Sequence, residues 1–148
     1  MANLKIRNSI FLFFASLIFI SLLASCGKKE VKQVSEDSKT AQEAFMLAEA
    51  VKNAYTKKEL SAIEKNTTEQ GYKDIIEARK NFDSAELSFT PHWVEIEDSK
   101  VNLHISWNGT WIAKGKKTED RGLAIFVMEG RPLKLAKVLR DNPFRNPE

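Results

Sequence analysis

Apolar positions fall into three successive patterns along this chain, and each predicts a different kind of element. Residues 10–23 (IFLFFASLIFISLL) are continuously apolar. The run is short of the ~20 residues that span a bilayer as a helix, and it lacks the polar face of a helix on a small core. Residues 27–39 (GKKEVKQVSEDSK) are polar and contain no aromatic residue, which predicts a flexible tether. Helical periodicity then begins. Ala41, Ala44, Phe45, Ala48, Val51 and Tyr55 share one stripe, predicting a helix over 41–55. A short second helix holds Leu60 and Ile63. A third, over 68–81, carries Tyr72, Ile75, Ile76 and the stem of Arg79 on its apolar side, with Gly71 weakening its first turn. Thr40 with Glu43, Thr56 with Glu59 and Thr67 with Gln70 all have capping-box spacing at the heads of these segments.

After Phe82 the period changes from helical to alternating. Ala85, Leu87 and Phe89 alternate with Glu86, Ser88 and Thr90; Pro91 follows, and the apolar phase shifts to Val94 and Ile96. A proline with a phase flip predicts a bulged edge strand, because proline cannot donate to a ladder. Asp98-Ser99 predicts a tight turn. Val101, Leu103, Ile105 and Trp107 then share one face, and Asn102, His104 and Ser106 the other. Asn108-Gly109 has two readings, a hairpin turn or a bulge in one long strand over 100–115. The long strand is preferred, with residues 116–120 as the following turn. Residues 122–128 (GLAIFVM) are continuously apolar and predict a central strand buried on both faces. Gly130-Arg131-Pro132 turns the chain into a last strand over 133–139. An irregular tail over 141–148 follows, with Phe144 tucked against the body.

Helices followed by a meander of strands predict an α+β class, with N-terminal helices packed on a curved antiparallel sheet of about four strands. In this order, and in the segments VNLHISWNGTWIAKG, RGLAIFVMEG and PLKLAKVLRDNPF, the chain resembles the nuclear transport factor 2-like superfamily. That resemblance implies a cone of curved sheet around an N-terminal helix, covering about residues 41–144. Members usually carry an additional strand between the helices, which is not legible here. Enzymes of the superfamily often use a histidine–aspartate or paired-aspartate arrangement, and no motif carries such residues onto this chain.

Composition changes the picture at the N-terminus. Lys5 and Arg7 precede the apolar run, no acidic residue occurs before Glu30, and Leu23-Ala24-Ser25-Cys26 follows the run and ends in the single cysteine. Basic residues ahead of an apolar core favour the cytoplasmic side. With the small residues before Cys26, the segment resembles a bacterial lipoprotein signal peptide. The resemblance implies a signal peptide over 1–25, a lipid on the Cys26 thiol and cleavage before it, a tether over 26–39, and a domain over 40–148. One acyl chain binds a membrane only marginally, whereas two or three hold firmly. Gly27, where an aspartate would favour inner-membrane retention, leans towards the periplasmic face of the outer membrane, the inner membrane being the alternative. Lipidation would consume the only thiol, excluding disulfides and thiolate chemistry.

Without residues 1–25 the 23 basic residues fall to 21, against 20 acidic. A near-neutral domain gives no basis for nucleic-acid binding. With two histidines and no spare cysteine, no metal site or cofactor is expected. His104 falls on the polar strand face, so a solvent-facing or interface histidine is the default. His92 sits at the bulge, where side chains are re-aimed. Tyr55, Trp93, Trp107, Trp111 and Phe126 either fill the core or line a cavity with orienting polar groups, core packing being preferred; Tyr55, Trp93, Trp107, Trp111 and His92 are the candidate ligand or partner contacts. Trp93 is out of phase with Val94 and Ile96 and is expected to be exposed to a partner.

Three functions are open: a non-catalytic lipoprotein domain binding a small ligand or an envelope protein, an assembly subunit that homodimerises through its sheet, and a lipid-anchored enzyme. The preferred reading is non-catalytic. A small-ligand binder requires a continuous apolar cavity, an assembly subunit a filled interior and an exposed apolar sheet face, and an enzyme a histidine beside a carboxylate in a cleft.

Overall fold

The computed structural model describes residues 35–145. Cys26, the apolar run at 10–23 and the tether up to residue 34 lie outside the described residues, as does the tail from 146. Within them the chain forms helices α1 (Glu36–Thr56), α2 (Leu60–Asn66) and α3 (Glu69–Ala78), and strands β1 (Ser84–Glu97), β2 (Lys100–Ala113), β3 (Lys116–Glu129) and β4 (Lys134–Arg140). A 3₁₀ turn at Pro143–Arg145 closes the described chain. The strands form one antiparallel meander in the order β1-β2-β3-β4, and the helices pack against it. None of the described helices is long and apolar enough to cross a membrane.

The α1 stripe is the predicted one. Ala44, Ala48, Val51 and Tyr55 are buried, joined by Leu47 and Ala54. The helix nevertheless starts at Glu36, so residues 36–39, expected in the tether, are helical. The N-cap is Ser35, whose hydroxyl accepts the Ser38 N–H at 3.2 Å, with Glu36 and Asp37 favourably placed in the first turn. Thr40 is inside the helix. The Thr56/Glu59 box does not form either, since α2 is preceded by Glu59 without a side-chain cap. For α3 the cap shifts by one residue: Thr68 Oγ1 accepts the Gly71 N–H at 3.1 Å. Ile63 and Ile75 are buried, whereas Leu60 is exposed.

Gly71 has a tertiary reason. A Cβ built there would stand 2.2 Å from the Leu135 carbonyl oxygen of β4, so only glycine lets α3 begin against that strand. The adjoining Thr67 makes a single parallel bridge to Leu135, and the Thr68 N–H donates to the Leu135 carbonyl at 3.0 Å.

The β1 bulge falls where the proline and phase flip placed it. Register shifts between Pro91 and Trp93, leaving His92 as the extra residue. Asn108-Gly109 is neither hairpin nor bulge. Leu87, Gly109 and Asp120 stand opposite one another in unbroken register. A Cβ on Gly109 would come within 2.3 Å of the Trp111 ring and 2.6 Å of Leu87, so the glycine makes room for an indole. The β2–β3 turn is instead Lys114 (φ 51°) and Gly115 (φ 77°), and residues 116–120 belong to β3.

One face of the sheet meets the helices. Phe89, Val101, Leu103, Ile105, Trp107, Trp111, Ala124, Phe126, Met128 and Leu135 are buried there with the α1 stripe, Phe82 and Phe144. Tyr55 packs on Phe82 and Phe144 at ring separations of 5.2 and 5.1 Å. Phe126 stacks on Phe144 at 5.9 Å, which ties the C-terminal turn to the core. The reading of β3 as buried on both faces is corrected: Ala124, Phe126 and Met128 are buried, Ile125 and Val127 are half-buried and Leu123 is exposed. The helices cover one face of the sheet, and no described element covers the other.

Candidate functional site

The uncovered face has an apolar centre formed by cross-strand partners. Trp93 on β1 pairs with His104 on β2, His104 with Ile125 on β3, and Ile125 with Leu139 on β4. This row crosses the whole sheet, and Leu123 flanks it on β3 two residues from Ile125. Trp93 is 53% exposed, Leu123 50% and Leu139 37%. Alternation places them together, because residues two apart on a strand share a face.

The bulge creates the cluster at the β1 end of this row. It moves Trp93 onto the outer face, where its ring lies 4.2 Å from the His104 ring at an interplanar angle of 20°. The Trp93 indole N–H donates to Glu95 Oε1 at 3.2 Å, and His104 Nε2 stands 3.4 Å from Glu95 Oε2. The latter contact falls short of hydrogen-bond geometry and becomes an ion pair when the imidazole is protonated. The Glu95 carboxyl is held below the usual carboxylate range, first by the Trp93 hydrogen bond and then by His104. Of the two readings of His104, solvent-facing or interface, the solvent-facing one does not hold. Only 8% of it is exposed, beneath the Trp93 ring. Beside the cluster, His92, Trp93, His104, Ile105, Leu123, Ala124 and Arg140 line a shallow groove of about 170 Å³.

The other candidate residues lie on the covered side. Tyr55 and Trp111 are fully buried and Trp107 is 3% exposed, with the two indoles edge-to-face at 6.3 Å. The Trp107 N–H donates to the Asp141 carbonyl at 2.8 Å. Burial pushes the Tyr55 phenol up to about 12, against the opposing influence of the neighbouring Trp111 indole and the Arg79 charge. These three side chains pack as core. His92 is exposed at the bulge, its ring 6.3 Å from Trp93. The structure thus brings Trp93 and His92 together on one face and leaves Tyr55, Trp107 and Trp111 on the other. Among the described residues no group of three or more His, Cys, Asp or Glu is placed to hold a metal ion.

No protein-family model matches the chain, and no curated protein matches it in sequence. A solved structure does. A nuclear transport factor 2 (NTF2-like) superfamily protein from Salmonella enterica subsp. enterica serovar Typhimurium str. LT2 superposes with a TM-score of 0.62 at 13% identity, over 69% of this chain and 89% of that one. The fold is NTF2-like. Three helices on an open four-stranded sheet agree with it, as the order of elements implied. Among the described residues no strand stands between the helices; Thr67 makes only the single bridge to Leu135.

Glu95, Leu123, Ile125 and Leu139 were not legible as site residues. Leu123 and Ile125 had a visible signal, the apolar residues alternating with Ala124 and Phe126, but an apolar run on both faces reads equally as a doubly buried strand. Glu95 had a weaker one, two residues from Trp93 on the same side.

Proposed function

We propose that this NTF2-like domain is a non-catalytic interaction module, lipid-tethered to the cell envelope through Cys26, that docks a protein on the uncovered face of its sheet. A second copy of the chain is the simplest occupant. The observation that carries the reading is the Trp93–His104–Ile125–Leu139 row, flanked by Leu123: large apolar groups clustered on a surface mark an interaction site. The aromatic rings filling the covered side favour a protein partner over a small ligand inside the cone. The His104–Glu95 pair is roofed by Trp93 and serves to hold that ring in place, which supports a non-catalytic role. The Leu23-Ala24-Ser25-Cys26 motif supports the tether, and Gly27 supports the periplasmic face of the outer membrane.

Two measurements test this. Sedimentation of the chain lacking residues 1–26 should show a dimer that becomes monomeric in Leu123→Glu with unchanged circular dichroism. A monomer at every concentration, with no envelope protein cross-linked through a photoreactive group at residue 123, sinks the docking claim. Palmitate labelling tests the tether separately: it should be lost in Cys26→Ser, and labelling that persists there refutes it.

A further inference from the structure

A second feature lies where β4 ends, at the edge of the apolar row, whose groove shares Arg140 with it. Trp107, Asp120, Arg121, Arg140, Asp141, Asn142 and Arg145 line a polar recess of about 290 Å³. Three arginines and two aspartates are among its lining residues, in a domain whose charges otherwise nearly balance. The carboxylates are engaged with backbone. Asp120 Oδ1 accepts the Arg121 N–H at 2.8 Å, and Asp141 Oδ2 accepts the Leu123 N–H at 3.1 Å. Arg121, Arg140 and Arg145, by contrast, are exposed and take part in none of the ion pairs among the described residues.

The backbone under the recess is fixed. Arg140 has φ 64°, a conformation that a residue with a side chain holds only when its surroundings impose it. Here the Asp141 N–H donates to the Leu123 carbonyl at 3.1 Å, and the Asp141 carbonyl takes the Trp107 indole N–H at 2.8 Å. With the Asp141 carboxylate on the Leu123 N–H, three hydrogen bonds pin the residue that follows Arg140. The backbone that carries Arg140 therefore starts from an anchored frame, which reduces the backbone ordering needed on binding.

We infer that this recess binds a phosphate-type oxyanion, with Arg121, Arg140 and Arg145 as its donors. Guanidinium forks match oxyanions in bidentate geometry. Three forks exceed the acceptor capacity of a single carboxylate, whereas a tetrahedral phosphate offers enough oxygens for all of them. The phosphate is either free in solution or carried by a phospholipid headgroup, and the two sources separate by experiment.

The purified full-length chain, in detergent at constant ionic strength, is titrated calorimetrically with inorganic phosphate and with glycerophosphoglycerol, a headgroup without acyl chains. Saturable binding of the first assigns the site to soluble phosphate, and binding of the second alone assigns it to lipid. In either case Arg121→Gln, Arg140→Gln and Arg145→Gln should each weaken binding about tenfold, and Lys65→Gln, outside the recess, should not. No binding of either compound overturns the inference, as does equal weakening by Lys65→Gln, which would reduce the effect to general charge. The titration reads anion binding and sedimentation reads association, so failure of one leaves the other claim standing.

Discussion

The two faces of the sheet come from the same four strands and both carry large apolar residues, yet those residues end in opposite states. On the covered face Trp111 has no exposed surface and Phe126 none; on the other Trp93 is 53% exposed and Leu123 50%. Hydrophobicity does not separate these residues. What separates them is that α1, α2, α3 and the C-terminal turn all reach one side. Alternation decides which residues travel together, and the placement of helices decides which set becomes core. Apolar groups on an uncovered face then stand available for a partner.

The sharpest way to break this comparison is one tryptophan from each side. Trp111→Ala removes a fully buried ring and should cost about 3–5 kcal/mol in urea unfolding. Trp93→Ala removes an exposed ring and its stack on His104 and should cost about 1 kcal/mol. Similar losses would mean that the outer face is also covered in solution.

Gly71→Ala probes how tightly the helices are applied to the sheet. Its Cβ would collide with the Leu135 carbonyl, so about 1–3 kcal/mol of stability should be lost, although alanine is the better helix former. An unchanged or raised melting temperature would show that α3 stands off β4.

The smallest effects are in pH dependence, and they differ in sign between the faces. Tyr55 titrates near 10 unfolded and about 12 folded. Raising the pH through that window ionises the unfolded chain first, so stability should fall there, and Tyr55→Phe should flatten the alkaline limb. Glu95 is shifted down, so its contribution is present above the unfolded value and is lost as pH falls through the folded one. Glu95→Gln should flatten the acid limb slightly. An alkaline limb unchanged by Tyr55→Phe would place the phenol in water.

Much of the fold was legible. The α1 stripe, the bulge at Pro91, the long β2 and the burial of Phe144 all follow from periodicity and turn chemistry, which act over a few residues. The misreadings have a common origin. Thr40 lost the capping role to Ser35 and Thr67 to Thr68, because several hydroxyl residues near each helix start satisfy the same local rule. Asn108-Gly109 carried a hairpin signal, but the glycine there serves the Trp111 ring lying across the backbone. Of the candidate site, Trp93 was legible as an exposed aromatic. For His104 the sequence left solvent-facing and interface open, because a polar residue on an alternating strand reads as solvated; the stack with Trp93 removes the first.

By itself, then, the sequence determined the α+β class, the order of its elements and the residues that share each strand face, since these depend on local spacing and residue type. Only the tertiary structure decided which sheet face the helices close, that Gly71 abuts Leu135, that Trp93, Glu95 and His104 meet, and that Arg121, Arg140 and Arg145 surround one recess. Those facts rest on contacts between distant parts of the chain, and pairwise proximity across a fold leaves no periodic trace along it.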